Sequence, residues 1–169
     1  MSAEKDALIE ALNACLARER TLRDAMGAYH AYFARWRIHR LERWFCKGAS
    51  LACERIQAIE LTAYRLGGTP SLDHEGFDLV ELFDDAGAAD AGKIADLFEG
   101  LKDLAKATRD LYDEAGNAAS DAGDATARNV GSDGQRCVED LLQRLQAKLN
   151  KVALIGAESY IAHHMHEMG

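Results

Sequence analysis

Apolar residues return every three, four or seven positions along most of this chain. Leu8, Leu12, Cys15, Leu22, Met26 and Phe33 fall on one face of a 3.6-residue helix. Their spacing predicts a first long helix from about Ala3 to Tyr32, with Ser2 as its N-cap candidate. A second stripe, Leu41, Phe45, Gly48, Ala52, Ile59 and Leu66, predicts a helix from about Arg35 to Leu66. Ile38, Leu51 and Ile56 lie at its edges. Gly67 and Gly68 suit its C-cap, and Pro70 prevents the helix from resuming. A third helix, about Ala91 to Ala118, carries Ile94, Leu97, Phe98, Leu101, Leu104, Leu111 and Tyr112. After a turn at Ser120–Asp124, a fourth runs from about Ala125 to Val152. Its inner residues are Val138, Leu141, Leu142, Leu145, Leu149 and Val152. Its first half, ARNVGSDGQR, is polar and holds Gly131 and Gly134, which predicts a frayed or kinked start. A short last helix is expected from Leu154 to about His164.

Between the second and third helices the chain runs from Ser71 to Ala91 with one apolar piece, Phe77, Leu79, Val80, Leu82 and Phe83. That piece predicts a short helix. Antiparallel neighbours need only short loops, so this length implies a crossover to a parallel neighbour. The expected fold is all-α: one domain over residues 1–169, a four-helix bundle with a long crossover and a short C-terminal helix.

Composition agrees with helix. Of 169 residues, 48% are apolar and only Pro70 is proline. The net charge of -8 gives no general attraction for nucleic acid or anionic membranes. The charge is uneven. Arg18, Arg20, Arg23, Arg35, Arg37, Arg40 and Arg43 cluster, whereas residues 73–99 hold nine acids and only Lys93. This asymmetry reads as subunit contacts or solvated faces. Cys15, Cys46, Cys53 and Cys137 form no CxxC pair, and buried reduced thiols are expected. The start, MSAEKDALIE, has no apolar signal core, and no run of about 18 apolar residues occurs. A cytoplasmic protein without membrane contact is expected. Neither GxxxxGK[ST] nor GxSxG is present.

Several residues together resemble a family. Leu12-Asn13, Tyr29-His30, Leu41, Phe45, Ile59, the RLGGTP ending of the second helix and the DAGDATA turn at Asp121–Ala127 are similar to the Dps proteins, the mini-ferritins. Bacterioferritins match more loosely, through Glu19. The resemblance implies a ferritin-like bundle that self-associates into a homo-oligomeric shell, a dodecamer. It also implies iron as the metal, ferroxidase activity, storage, protection from oxidative stress and, often, protection of DNA. In that family the iron site lies between two subunits. It uses two histidines around the first two helices, then an Asp and a Glu four residues apart. His30 matches the first histidine and Glu42 stands at the second. Gln57 and Leu61 replace the acids. In the bacterioferritin pattern Glu19 is kept, Ala52 and Arg55 take the next Glu and His positions, and the fourth helix lacks Glu-x-x-His.

The candidate chemistry therefore has open alternatives. Glu19 is either a metal ligand or the partner of Arg55 in the core. His39 and Glu42 share a helix face and, with His30 from a neighbouring subunit, make a small metal site or an interface hydrogen-bond cluster. His163 and His166, with Met165 and Met168, suit another transition metal such as copper, nickel or zinc, or form an unstructured tail. Trp36 and Trp44 near the arginines stack on bases or anchor packing. The first ten residues carry one lysine and three acids, so DNA is not an expected partner. The function expected is iron sequestration in a ferritin-like cage with a weak or lost ferroxidase step. The alternatives are a non-catalytic structural or interaction protein and a binder of another transition metal.

Overall fold

The computed structural model describes residues 2–77 and 91–165, with residues 91 and 92 described by their backbone alone. α1 spans Ala3–Arg35, α2 His39–Arg65, α3 Ala91–Asp121, α4 Ala125–Ile155 and α5 Ala157–Met165. The predicted short helix after Phe77 lies outside the described residues. α1 packs antiparallel to both α2 and α3, and α3 antiparallel to α4. α3 is parallel to α2, as the crossover length implied. It sits beside α1, however, and so lies diagonal to α2 rather than next to it. Among the described residues no helix is long and apolar enough to cross a membrane.

Helix ends follow local chemistry. Ser2 Oγ accepts the Lys5 N–H at 3.3 Å and caps α1. α2 ends in a left-handed Gly67 (φ 81°), where the Gly68 N–H reaches back to Ala63 O and the Gly67 N–H to Tyr64 O. The α1–α2 turn has the same bonds, Arg37 N–H to Ala34 O and Ile38 N–H to Phe33 O, but its left-handed residue is Arg37 (φ 58°). Arginine carries no turn signal, so the sequence ended the first helix one turn early. The short last helix starts later than expected because Gly156 (φ 85°) separates it from α4.

The segment after α2 is strapped to α1. Asn13 Oδ1 accepts the Ser71 N–H at 2.9 Å, and Asn13 Nδ2 donates to Thr69 O at 3.3 Å. Arg20 donates to Ser71 O and pairs with Glu60 at 2.8 Å. Thr21 Oγ donates to Glu75 O at 2.6 Å. Asn13 thus has a local job: it holds the chain leaving the Gly-Gly-Thr-Pro stop.

The interior divides into two apolar clusters along the bundle. One is aromatic, built on Tyr29, Phe33, Phe45, Phe98 and Tyr160. The other is built on leucines and alanines around Cys15, Leu16, Ala105, Ala119 and Tyr112. Here the expected weakness of α4 is corrected: the helix is continuous from Ala125. Gly131 and Gly134 are buried, and a Cβ at Gly134 would run into the Tyr112 ring. The glycines lower helix propensity but admit α3 to close range.

Candidate functional site

The centre of the leucine–alanine region is polar. Glu19 is 0% exposed on α1, between Cys15 and Leu22 on the inner face. Arg55 reaches in from α2, donating from Nε to Glu19 Oε1 at 2.5 Å and from Nη2 to Oε2 at 3.1 Å. Tyr112 of α3 donates its hydroxyl to Glu19 Oε1 at 2.5 Å. Two-point arginine pairing is the strong form of a carboxylate hydrogen bond. The third donor adds to it, so both carboxylate oxygens are engaged.

The electrostatics around Glu19 hold the protons in place. Burial, then the Glu19 charge, pushes the Tyr112 phenol far up, so Tyr112 stays a donor. Burial and the Glu19 charge likewise push the Cys15 thiol well up. For Arg55, burial pulls downward, but the bond to Glu19 and its charge outweigh it and the guanidinium is raised. The centre is a charged pair and a phenol with every proton on the expected atom. Such an arrangement fixes helices α1, α2 and α3 to one another. A metal ion beside Glu19 would meet the Arg55 guanidinium, and it would need a carboxylate whose oxygens already accept three hydrogen bonds.

The other predicted residues are placed as follows. His30 Nδ1 lies 3.0 Å from the Glu42 carbonyl oxygen, which can only accept, so that nitrogen carries the proton. The Glu42 carboxylate turns instead to His39, with Oε2 3.2 Å from Nδ1. His30, His39 and Glu42 are therefore neighbours, but the carboxylate does not face His30. Gln57 is exposed, and Leu61 is 70% exposed on the outer side of α2. His163 is on α5 with its ring 5.3 Å from that of His164, and His166 lies outside the described residues. Among the described residues, no group of three or more His, Cys, Asp or Glu is arranged to hold a metal ion.

One expectation is corrected, and one alternative is resolved. Only Cys15 is a buried thiol; Cys46, Cys53 and Cys137 are exposed. Trp44 packs edge-on against Phe45 at 4.9 Å and under the Lys148 ammonium at 4.6 Å. Trp36 is half-buried against the aromatic cluster. Both indoles thus have packing roles.

The sequence missed Tyr112, which looked like one more stripe residue. Its signal was indirect: Gly131 and Gly134, three apart on the facing helix, make room for a large ring. His164, read from the sequence only as one of the C-terminal histidines, has a packing contact that the sequence did not show. It stacks on Tyr160 at 4.1 Å, with Nδ1 2.8 Å from Tyr160 O, and burial lowers its pKa.

The fold and this centre define a class: a four-helix bundle, long in its second connection, with an acid at mid-bundle held by residues of two other helices. The chain belongs to the ferritin-like domain family, whose family model matches residues 9–155. No curated protein matches it.

Proposed function

We propose that this chain is a self-associating ferritin-like subunit that sequesters iron and limits oxidative damage, with no ferroxidase centre inside its own bundle. The observation that carries this is the Glu19–Arg55–Tyr112 cluster. Arg55 puts a fixed positive charge where the bacterioferritin resemblance has a metal-binding histidine. Iron is then cargo, held by acidic residues such as those in the sequence segment 73–99. Any ligation at a subunit boundary falls to His30, His39 and Glu42. The absence of a membrane-crossing helix among the described residues is compatible with the cytoplasm as the working compartment.

A non-catalytic assembly protein is the second reading, and one feature favours it. Leu61 stands where the mini-ferritin resemblance has a glutamate ligand, and it is exposed one turn from Tyr64, itself 63% exposed. An apolar pair on an outer helix face suits contact between subunits rather than coordination of an ion.

Aerobic addition of ferrous iron to the size-fractionated protein tests both. Slow, unsaturable oxidation with iron retained on the protein is the expected outcome. Fast stoichiometric oxidation that is lost in Glu19→Gln would overturn the missing bundle centre. An assembly that retains no iron would leave the purely structural role. Loss of retention in a His30→Ala/Glu42→Ala variant would place the metal at the subunit boundary. Metal analysis of protein purified without affinity chromatography covers copper, nickel or zinc at His163 and His166.

A further inference from the structure

One side of the bundle is left open. α2 and α4 barely touch, unlike the closely packed pairs α1–α2 and α3–α4. Their register follows from Trp44 beside Lys148 and Arg55 beside Cys137, so the two helices run antiparallel. Between them lies a groove of about 480 Å³ that both Trp44 and Arg55 line. Those two positions are eleven residues apart, which corresponds to about 16 Å of helix. Small residues keep the groove open: Gly48 leaves its space to the Met26 side chain, which forms the floor.

The lining has two parts. Met26, Leu51, Leu141 and Trp44 give an apolar track. Lys47, Arg55, Arg136 and Arg144 place four cations on the walls against two acids, Glu54 and Asp140, in a protein of net charge -8. All three arginines are paired: Arg144 with Asp140 at 2.8 Å within the lining, and the other two with acids behind the walls. Glu19 lies beneath Arg55, and Asp133 binds Arg136 outside the lining. Lys47 has no ion-pair partner among the described residues. Arg55 spends Nε and Nη2 on Glu19, which leaves Nη1 outside the pair on a guanidinium already fixed from behind. A pre-positioned arginine of this kind binds a carboxylate at little entropic cost.

We infer that the α2–α4 groove is a binding site for a medium-chain aliphatic carboxylate, with its headgroup at Arg55 and its chain along Leu51 and Leu141 toward Trp44. This goes beyond the storage reading and does not depend on iron. The ligand's charge meets the Nη1 edge of Arg55 and Lys47, the one groove cation outside the ion pairs of the described residues, and its tail removes from water an apolar surface that α4 does not cover. A neutral chain of equal length would lose the charge-assisted bond to Arg55, which corresponds to binding about tenfold weaker or more.

Cys137 provides the test. It lines the groove and is exposed, whereas Cys46 and Cys53 are exposed elsewhere on α2. Alkylation of the full chain by iodoacetamide is followed by peptide mass spectrometry with and without dodecanoate. The expected result is saturable protection of Cys137, with Cys46 and Cys53 unchanged. Dodecanol should need about ten times the concentration for the same protection. Leu51→Glu, a change at a partly exposed position that puts an acid on the track, should abolish it. The inference is overturned if Cys137 is unreactive without ligand, if dodecanoate protects no thiol or all three equally, if dodecanol works as well, or if Leu51→Glu is still protected.

Discussion

Each of the two apolar regions of the bundle fully buries a tyrosine, Tyr112 in one and Tyr160 in the other, and the two are treated in opposite ways. Toward the α3–α4 turn, Tyr112 lies over Gly134 and gives its hydroxyl to Glu19. On α5, Tyr160 is 1% exposed and its hydroxyl has no hydrogen-bond partner among the described residues. Its ring packs edge-on to Phe98 at 6.0 Å in a row of rings that continues through Phe45 to Phe33 and Tyr29. Rings fill the α5 end by volume, so a polar atom there is an incidental passenger. Alanines and glycines fill the other end, so helices approach closely enough for three side chains from three helices to meet. A buried polar group contributes to stability only when its partners are within reach. The difference between the ends is therefore a difference in side-chain size before it is one of charge.

The sharpest way to break this comparison is to remove Arg55. Arg55→Met leaves the Glu19 carboxylate fully buried with the Tyr112 hydroxyl as its one remaining donor from the cluster. Such losses cost about 3–5 kcal/mol, because the surviving charge is neither paired nor hydrated. The double change Glu19→Gln/Arg55→Met should recover most of that cost, since replacing a whole buried pair is often close to neutral. Urea unfolding at fixed protein concentration reads both, with an unchanged slope confirming that the same fold is being compared. If the single and double variants lose the same amount, the pair is not what stabilises this end.

Tyr112→Phe is a smaller test of the same network. It removes one hydrogen bond to a charged acceptor and keeps the ring against Gly134. The expected loss is about 2 kcal/mol, read from the shift in unfolding midpoint. A loss near zero would mean that Arg55 alone satisfies Glu19, and that the glycines serve the ring rather than its hydroxyl.

Much of this was legible in the sequence, for specific reasons. The stripes of α1 to α4 repeat often enough to outweigh end effects, so the bundle, the Gly67–Gly68 stop and the possible Glu19–Arg55 pair could be read from spacing. The α1–α2 turn could not, because Arg37 does a glycine's work in it. Gly131 and Gly134 were misjudged because helix propensity is a local property and their use is tertiary: they face Tyr112 across a helix interface. The groove was invisible because it results from what α2 and α4 fail to fill, and no single position encodes that. Cys46 and Cys53 were placed inside from their residue type, although their positions on α2 point outward.

Tyr160→Phe gives the smallest effect and the one most particular to the comparison. The buried hydroxyl was taken from water with no partner in exchange among the described residues, and burial drives its phenol pKa upward. Removing the oxygen leaves the edge-on contact with Phe98 and the stacking of His164 in place. The same chemical change that destabilises at Tyr112 should therefore stabilise here, by about 1 kcal/mol, the low end of the cost of an unsatisfied buried group. Thermal unfolding of the two variants side by side measures the opposite signs directly. If Tyr160→Phe also destabilises, the hydroxyl has a partner in solution, the two ends are alike in satisfying their tyrosines, and packing size no longer explains the contrast.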